Sequence, residues 1–145
     1  MNLKDLMGEE FYKEHKGKNL VIYFYPKDNT PGCSQEAVDF SEKKDDFEKL
    51  NTKIYGVSKD SEKSHENFKE KKNLTIDLIS DEELSLIKSF DVWKKKKMFG
   101  KEYMGVERST FIFDSKGELV KEFRKVKVKG HVDEVYKFIE ENLNE

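Results

Sequence analysis

Six consecutive apolar residues, Leu20 to Tyr25 (LVIYFY), set the first constraint on how this chain can fold. A strand shows alternate side chains to opposite faces, so a strand with no polar position needs cover on both. That is the pattern of a central strand with packed layers above and below it. Pro26 ends the run. Thr30-Pro31 then has the form of a helix N-cap followed by proline in the first helical position. The spacing predicts a helix from about Pro31 to Leu50, with Ala37, Phe40, Phe47 and Leu50 on its inner side.

The rest of the chain alternates in the same way. Lys53 to Ser58 reads as a second strand, Ser61 to Lys72 as a charged helix anchored by Phe68, and Leu74 to Ile79 as a third strand. Ser80-Asp-Glu-Glu83 has capping-box spacing and predicts a helix that carries Leu84, Ile87, Phe90 and Trp93 inward. The Lys94 to Lys97 run reads as a solvated helix end, favoured there by the helix dipole. Ser109 to Asp114 and Glu118 to Phe123, joined by Ser115-Lys116-Gly117, predict a hairpin. Val132, Val135, Tyr136 and Ile139 have the spacing of a one-sided C-terminal helix. Strands alternating with helices require crossovers and a partly parallel sheet, and the hairpin adds antiparallel strands. The expected architecture is α/β, a central mixed sheet with helices on both faces, with residues 1–145 as a single domain.

Composition narrows the function. The 145 residues carry 28 Lys and Arg against 30 Asp and Glu, a net charge of -2, which gives no support to a nucleic-acid or acidic-membrane role. Aromatics reach 12%, which argues against disorder. No stretch approaches the roughly 20 apolar residues of a membrane helix. Residues 1 to 19 have no apolar signal core, and one cysteine cannot form an intramolecular disulfide. A reducing, cytoplasmic setting is expected.

That cysteine, Cys33, falls in the first turn of the helix that Thr30 would cap. Unpaired backbone N–H groups and the helix dipole stabilise thiolates at such places. A lone cysteine is more often a small buried filler than a catalyst. Here a strand, a loop with proline and glycine and a helix start converge on it, which favours a reactive thiol. His15, His65 and His131 show no ligand spacing with one another or with Cys33 and read as surface residues, so neither a metal nor another cofactor is expected. Glu36 and Asp39 follow Cys33 on the helix, with nothing to mark them as an acid-base pair.

Pro26-Lys-Asp-Asn-Thr30-Pro-Gly-Cys33 resembles the P-x-x-x-T-x-x-C active-site signature of peroxiredoxins. The longer YFYPKDNTPGC is most similar to the bacterioferritin-comigratory-protein, or Q-type, group. HENFKEK, LISDEEL, MFGKEYMGVERSTFIFD and KGELV match in order, so the resemblance spans roughly residues 20 to 140. It implies a thioredoxin-like fold and a thiol peroxidase acting on hydrogen peroxide or alkyl hydroperoxides. It also implies that Cys33 is the nucleophile, with Thr30, Arg108 and Pro26 completing the site. The chemistry fits these types. An arginine brings fixed charge to the thiolate and the departing oxygen. A threonine hydroxyl can bond thiolate or peroxide, and a proline shapes the pocket without presenting an N–H. Each has a plainer role open to it: Arg108 as surface partner of Glu107 or Glu102, Thr30 as cap only, Pro26 as strand terminator.

The chain departs from the family twice. Many relatives carry a resolving cysteine on the same helix, where Val38 stands here, or on the next, near Lys69. A sulfenic acid on Cys33 would have no thiol within the chain to condense with. An external thiol, small or of the thioredoxin or glutaredoxin kind, is therefore expected as reductant, with the protein a monomer or homodimer. Relatives also usually begin with a strand pair bearing A-P-x-F-x-L, which residues 1 to 19 do not match. Leu3, Leu6, Met7, Phe11 and Tyr12, or a second subunit, would then cover the sheet there. A redox-sensing or partner-binding protein without efficient turnover is the alternative. A disulfide reductase fits less well, because Thr30 stands where a C-x-x-C motif has its first cysteine.

Overall fold

The structure, a computed structural model, describes residues 2–143. Its elements run α1 (Leu3–Met7), α2 (Glu9–His15), β1 (Asn19–Phe24), α3 (Pro31–Glu42), α4 (Lys44–Lys49), β2 (Thr52–Ser58) and α5 (Glu62–Lys72), followed by β3 (Asp77–Ser80) and α6 (Ser85–Ser89). The chain continues through β4 (Trp93–Met98), β5 (Lys101–Val106), β6 (Ser109–Phe113), β7 (Leu119–Phe123) and α7 (His131–Asn142). Five strands form one sheet in the order β3-β2-β1-β6-β7, and β4 and β5 form a separate ribbon. β1 lies parallel to β2, as β2 does to β3, while β1 to β6 and β6 to β7 are antiparallel. This is the mixed sheet with helices on both faces that the alternation predicts.

The apolar run explains itself at the centre of that sheet. Val21 and Tyr23, with Tyr25 just beyond the strand, point into one core with Ala37, Phe40, Phe47, Phe68, Val135 and Ile139. Leu20, Ile22 and Phe24 point into the other with Ile87, Phe90, Val106, Phe111 and Phe113. Helices α3, α4, α5 and α7 thus cover one face, and α1 and α6 the other. The N-terminal segment belongs to the second face: Leu3 is buried, and Leu6, Met7, Phe11 and Tyr12 pack against the same core. Leu3 N–H also donates to Gly117 O at 2.7 Å. Residues of this chain therefore supply the cover expected of them. Among the described residues no helix is long and apolar enough to cross a membrane.

Several local expectations are corrected. The helix predicted over 31–50 is two, broken at Lys43 (φ -97°, ψ 4°). Thr75 engages the turn, its hydroxyl donating to Ser41 O at 3.2 Å and its N–H to Ser41 Oγ at 3.1 Å. Ser80 closes β3 rather than opening a helix. The capping is done one residue later by Asp81, whose carboxylate accepts from Leu86 N–H (3.2 Å) and Ile87 N–H (2.8 Å). Trp93 and Lys94 to Lys97 lie in β4, not in a helix, paired residue for residue with β5. The three histidines are buried, because each gains an internal partner: His15 with Tyr55 Oη (2.6 Å), His65 with Asp28 (2.8 Å) and His131 with Thr110 Oγ1 (2.7 Å).

Leu3→Ala should cost about 2–5 kcal/mol, the range for truncating a buried leucine. Urea denaturation measures it; a loss within experimental error of zero would mean the N-terminal helices do not seal that face.

Candidate active site

At its C-terminal end β1 passes through Tyr25, whose N–H still donates to Val57 O (3.1 Å), into a loop that turns back into α3. Asn29 takes a left-handed conformation (φ 63°), and Thr30 is extended at the N-cap. Pro31 fits the first helical position because its missing N–H would have no helical acceptor. Ser34 N–H donates to Thr30 O at 2.8 Å and closes the first turn.

The loop is pinned from below by a buried carboxylate. Asp28 accepts from Tyr25 Oη (2.6 Å), Ser64 Oγ (2.7 Å) and His65 Nδ1 (2.8 Å), while its own N–H donates to Asp60. His65 Nε2 faces Ile79 O at 3.0 Å. Burial opposes ionisation at both members, yet the mutual contact prevails. Asp28 is lowered by the bonds from His65, Tyr25 and Ser64, and His65 is raised by Asp28. The HENFKEK stretch thus ties α5 to the cysteine loop.

Cys33 is 1% exposed in the first turn of α3. Arg108, between β5 and β6, reaches across from the far part of the sequence. Its Nη2 donates to Cys33 Sγ at 3.2 Å and its Nη1 to Glu36 Oε1 at 2.5 Å. Gly32 makes room for this approach: a Cβ there would stand 3.3 Å from Arg108 Nη2. The Arg108 side chain is 16% exposed, so the sulfur adjoins a side chain that reaches solvent. Arg108 is therefore not a partner of Glu107 or Glu102; Glu102 pairs with Lys95.

Thr30 is at the cap, but its hydroxyl donates to Lys27 O (2.9 Å) and makes no bond to the helix amides. The N–H groups of the first turn are left without a capping side chain. Pro26 is half-buried at the bend after β1. Val38 packs against the core, and Lys69 faces Asp77 at 3.8 Å, so neither brings a second sulfur.

Glu36 is the member the sequence did not disclose. It is fully buried, one turn after Cys33 on the same helix face. Burial pushes its carboxyl up to about 7, although Arg108 pulls the other way. Arg108, opposed by its own burial, is raised by Glu36 and Cys33. Glu36 Oε2 and the Tyr23 hydroxyl are buried without hydrogen-bond partners. Tyr23 stays protonated, raised first by burial and then by the charges of Glu36 and Cys33. His131, behind Thr110, is lowered to about 4 by burial and by Arg108. The spacing from Cys33 to Glu36 was the available signal; its meaning depended on where Arg108 arrives.

The AhpC/TSA family profile matches residues 1–122 of the chain. It is 55% identical over 135 residues to peroxiredoxin Bcp of Bacillus subtilis, covering 92% of this chain and 86% of that one. It is 50% identical over 123 residues to peroxiredoxin Bcp of Xanthomonas campestris, covering 85% and 77%. Among solved structures it is similar to the Xanthomonas campestris bacterioferritin comigratory protein, studied for its alkyl peroxide reduction activity. That match has a TM-score of 0.86 at 46% identity and covers 90% of this chain and 83% of that one. Peroxiredoxin Q of the same organism has been solved as cysteine-to-serine variants at two different positions, whereas this chain has a single cysteine.

Two opposite pH dependences are expected. Glu36, raised from 4.5 to about 7, binds its proton more tightly when folded, so it makes stability fall as pH rises from about 4.5 to 7. His131, lowered from 6.5 to about 4, makes stability rise between about 4 and 6.5. Urea unfolding against pH for Glu36→Gln and His131→Gln should remove the fall and the rise respectively. Curves parallel to wild type would show these groups ionising as in water.

Proposed function

The chain belongs to the AhpC/TSA family and is a peroxiredoxin, a thiol-dependent peroxidase, and we propose that Cys33 is the thiol that reduces the peroxide, with Arg108, Thr30 and Pro26 completing its site. The observation that carries this is the 3.2 Å bond from Arg108 Nη2 to Cys33 Sγ, across 75 positions of sequence. A guanidinium in contact with a sulfur holds it by charge and by hydrogen bond when it ionises. It is also placed to stabilise the oxygen that leaves.

In the reaction, Cys33 thiolate attacks one oxygen of the peroxide. An S–O bond forms and the O–O bond breaks. The departing hydroxide or alkoxide takes a proton and leaves as water or alcohol, and Cys33 becomes a sulfenic acid. The free N–H groups of the first turn of α3 can donate to the bound peroxide. Thr30 Oγ, its own proton committed to Lys27 O, can accept from the peroxide O–H. Pro26 would wall the entrance. Glu36 holds the second arm of the guanidinium and so fixes its plane. Hydrogen peroxide and alkyl hydroperoxides are the proposed substrates, the latter supported by the activity studied in the Xanthomonas campestris relative.

The chain offers no second thiol, so the sulfenic acid goes to an external one, small or of the thioredoxin or glutaredoxin kind. A reducing compartment such as the cytoplasm suits that need. Residues 1–145 act as one domain, and nothing in the chemistry requires more than one subunit.

Intact-mass measurement after one equivalent of hydrogen peroxide with dimedone should give a single adduct on wild type and none on Cys33→Ser. Arg108→Ala should slow sulfenic acid formation by about 10²–10³, the effect of removing a principal charge-stabilising donor. An unmodified wild-type chain, or an Arg108→Ala chain as fast as wild type, would defeat the assignment.

A further inference from the structure

Among the described residues, the exposed large apolar side chains other than Val120 all lie on one hairpin: Met98, Phe99, Tyr103 and Met104. That hairpin is the β4–β5 ribbon, outside the main sheet. Its foot is fixed. Val92 and Val106 are buried, Trp93 packs against the same core, and Glu107 N–H donates to Val92 O at 2.7 Å. Its tip is a two-residue turn, Phe99-Gly100, with φ 51° and 79°. Positive φ at both positions is the requirement of a type I′ turn, where Asn-Gly is favoured. A bulky aromatic is disfavoured in that conformation. Phe99 is also 96% exposed, so burial within the fold does not offset the strain. A residue kept in a conformation it disfavours points to a contact outside the chain.

The charges on the arm indicate what makes that contact. Lys96 lies opposite Tyr103 and Met98 opposite Lys101, so all four share one face of the ribbon. Lys96 feels the charges of the site: its ammonium is pushed down by burial and then by the charge of Arg108, with Cys33 pulling the other way. Lys94 and Lys95 have carboxylate partners in Asp91 and Glu102. Among the described residues Lys96, Lys97 and Lys101 have none. The arm is thus apolar at its tip, basic along its length and rooted two residues before Arg108.

We propose that the β4–β5 arm is the docking surface for the protein dithiol that reduces Cys33, a partner whose reactive cysteine lies in an apolar surface edged by Asp and Glu. This rests on the one-cysteine peroxidase reading. The partner's first thiolate attacks Sγ of the sulfenic acid. An S–S bond forms, the S–O bond breaks, and the hydroxide leaves as water with the thiol proton. The partner's second thiolate then attacks its own sulfur in the mixed disulfide. Cys33 is released reduced and the partner carries the disulfide. Each turnover therefore brings a protein surface up to Cys33. Two-fold pairing of arms from two copies would oppose like-charged lysines, so a second copy does not fit.

Phe99→Asn and Lys101→Glu test this, because the first supplies the residue the turn prefers and the second alters an exposed charge. Turnover with hydrogen peroxide is measured with dithiothreitol and with a bacterial thioredoxin recycled by its reductase and NADPH. Each variant should lose about tenfold in kcat/KM for thioredoxin, the effect of altering an interface residue that carries binding energy, and nothing with dithiothreitol. Added salt should weaken the thioredoxin reaction of wild type more steeply than that of Lys101→Glu. The proposal is overturned by unchanged thioredoxin kinetics, by equal losses with both reductants, or by a wild type that uses dithiothreitol but not thioredoxin. Sedimentation showing a dimer that Phe99→Asn dissociates would overturn it in favour of self-association. A wild type inactive with dithiothreitol as well would remove the peroxidase reading itself, and this proposal with it.

Discussion

Arg108 joins two buried groups that water would otherwise solvate, the Cys33 sulfur and the Glu36 carboxylate, and much of the molecule is arranged so that it can. Buried charge is tolerated when paired and hydrogen-bonded, and a guanidinium offers donors in a fixed plane to do both. Its fork is divided here, one nitrogen to each partner. The two partners sit one turn apart on α3, and Arg108 itself stands just before β6, the antiparallel neighbour of β1. The β1–β6 pairing therefore places the arginine against the helix that β1 leads into.

A second layer of polar contacts keeps the sulfur's loop in register. Asp28 collects three donors from Tyr25, Ser64 and His65, and α5 is thereby tied to the loop before α3. Such networks specify geometry when every member is satisfied. The contrast with Tyr23 and Glu36 Oε2, both buried and unpartnered, is informative. Unsatisfied polar atoms are tolerated around the Cys33–Arg108–Glu36 contacts, while the Asp28 network that supports the loop is bonded throughout. Local rules broken at a site and kept around it are what function imposes on a fold.

The N-terminal helices show the same economy at the scale of the domain. β1 needs a second layer, and Leu3 with its neighbours supplies it from within the chain. Gly117 (φ 83°) lies under this layer, where a Cβ would come within 2.7 Å of Tyr12. The glycine of the β6–β7 turn thus serves both the turn and the close packing above it.

What the sequence determined by itself was whatever depends on neighbours along the chain. LVIYFY demanded a two-sided central strand, alternation demanded crossovers, Thr30-Pro31 set the start of α3, and Cys33 fell in its first turn. Arg108 was legible through the resemblance, since no local pattern distinguishes it from a surface arginine. Tertiary structure alone decided the rest. Glu36 acquired its role when Arg108 arrived over its helix. The three histidines were buried because Tyr55, Asp28 and Thr110, distant in sequence, awaited them. The lysine run became a strand because β5 paired with it, which overrode a local pattern compatible with a helix end. Periodicity records which face a residue occupies, whereas hydrogen-bond partners and ion pairs are fixed by chain segments that meet only once the sheet has formed.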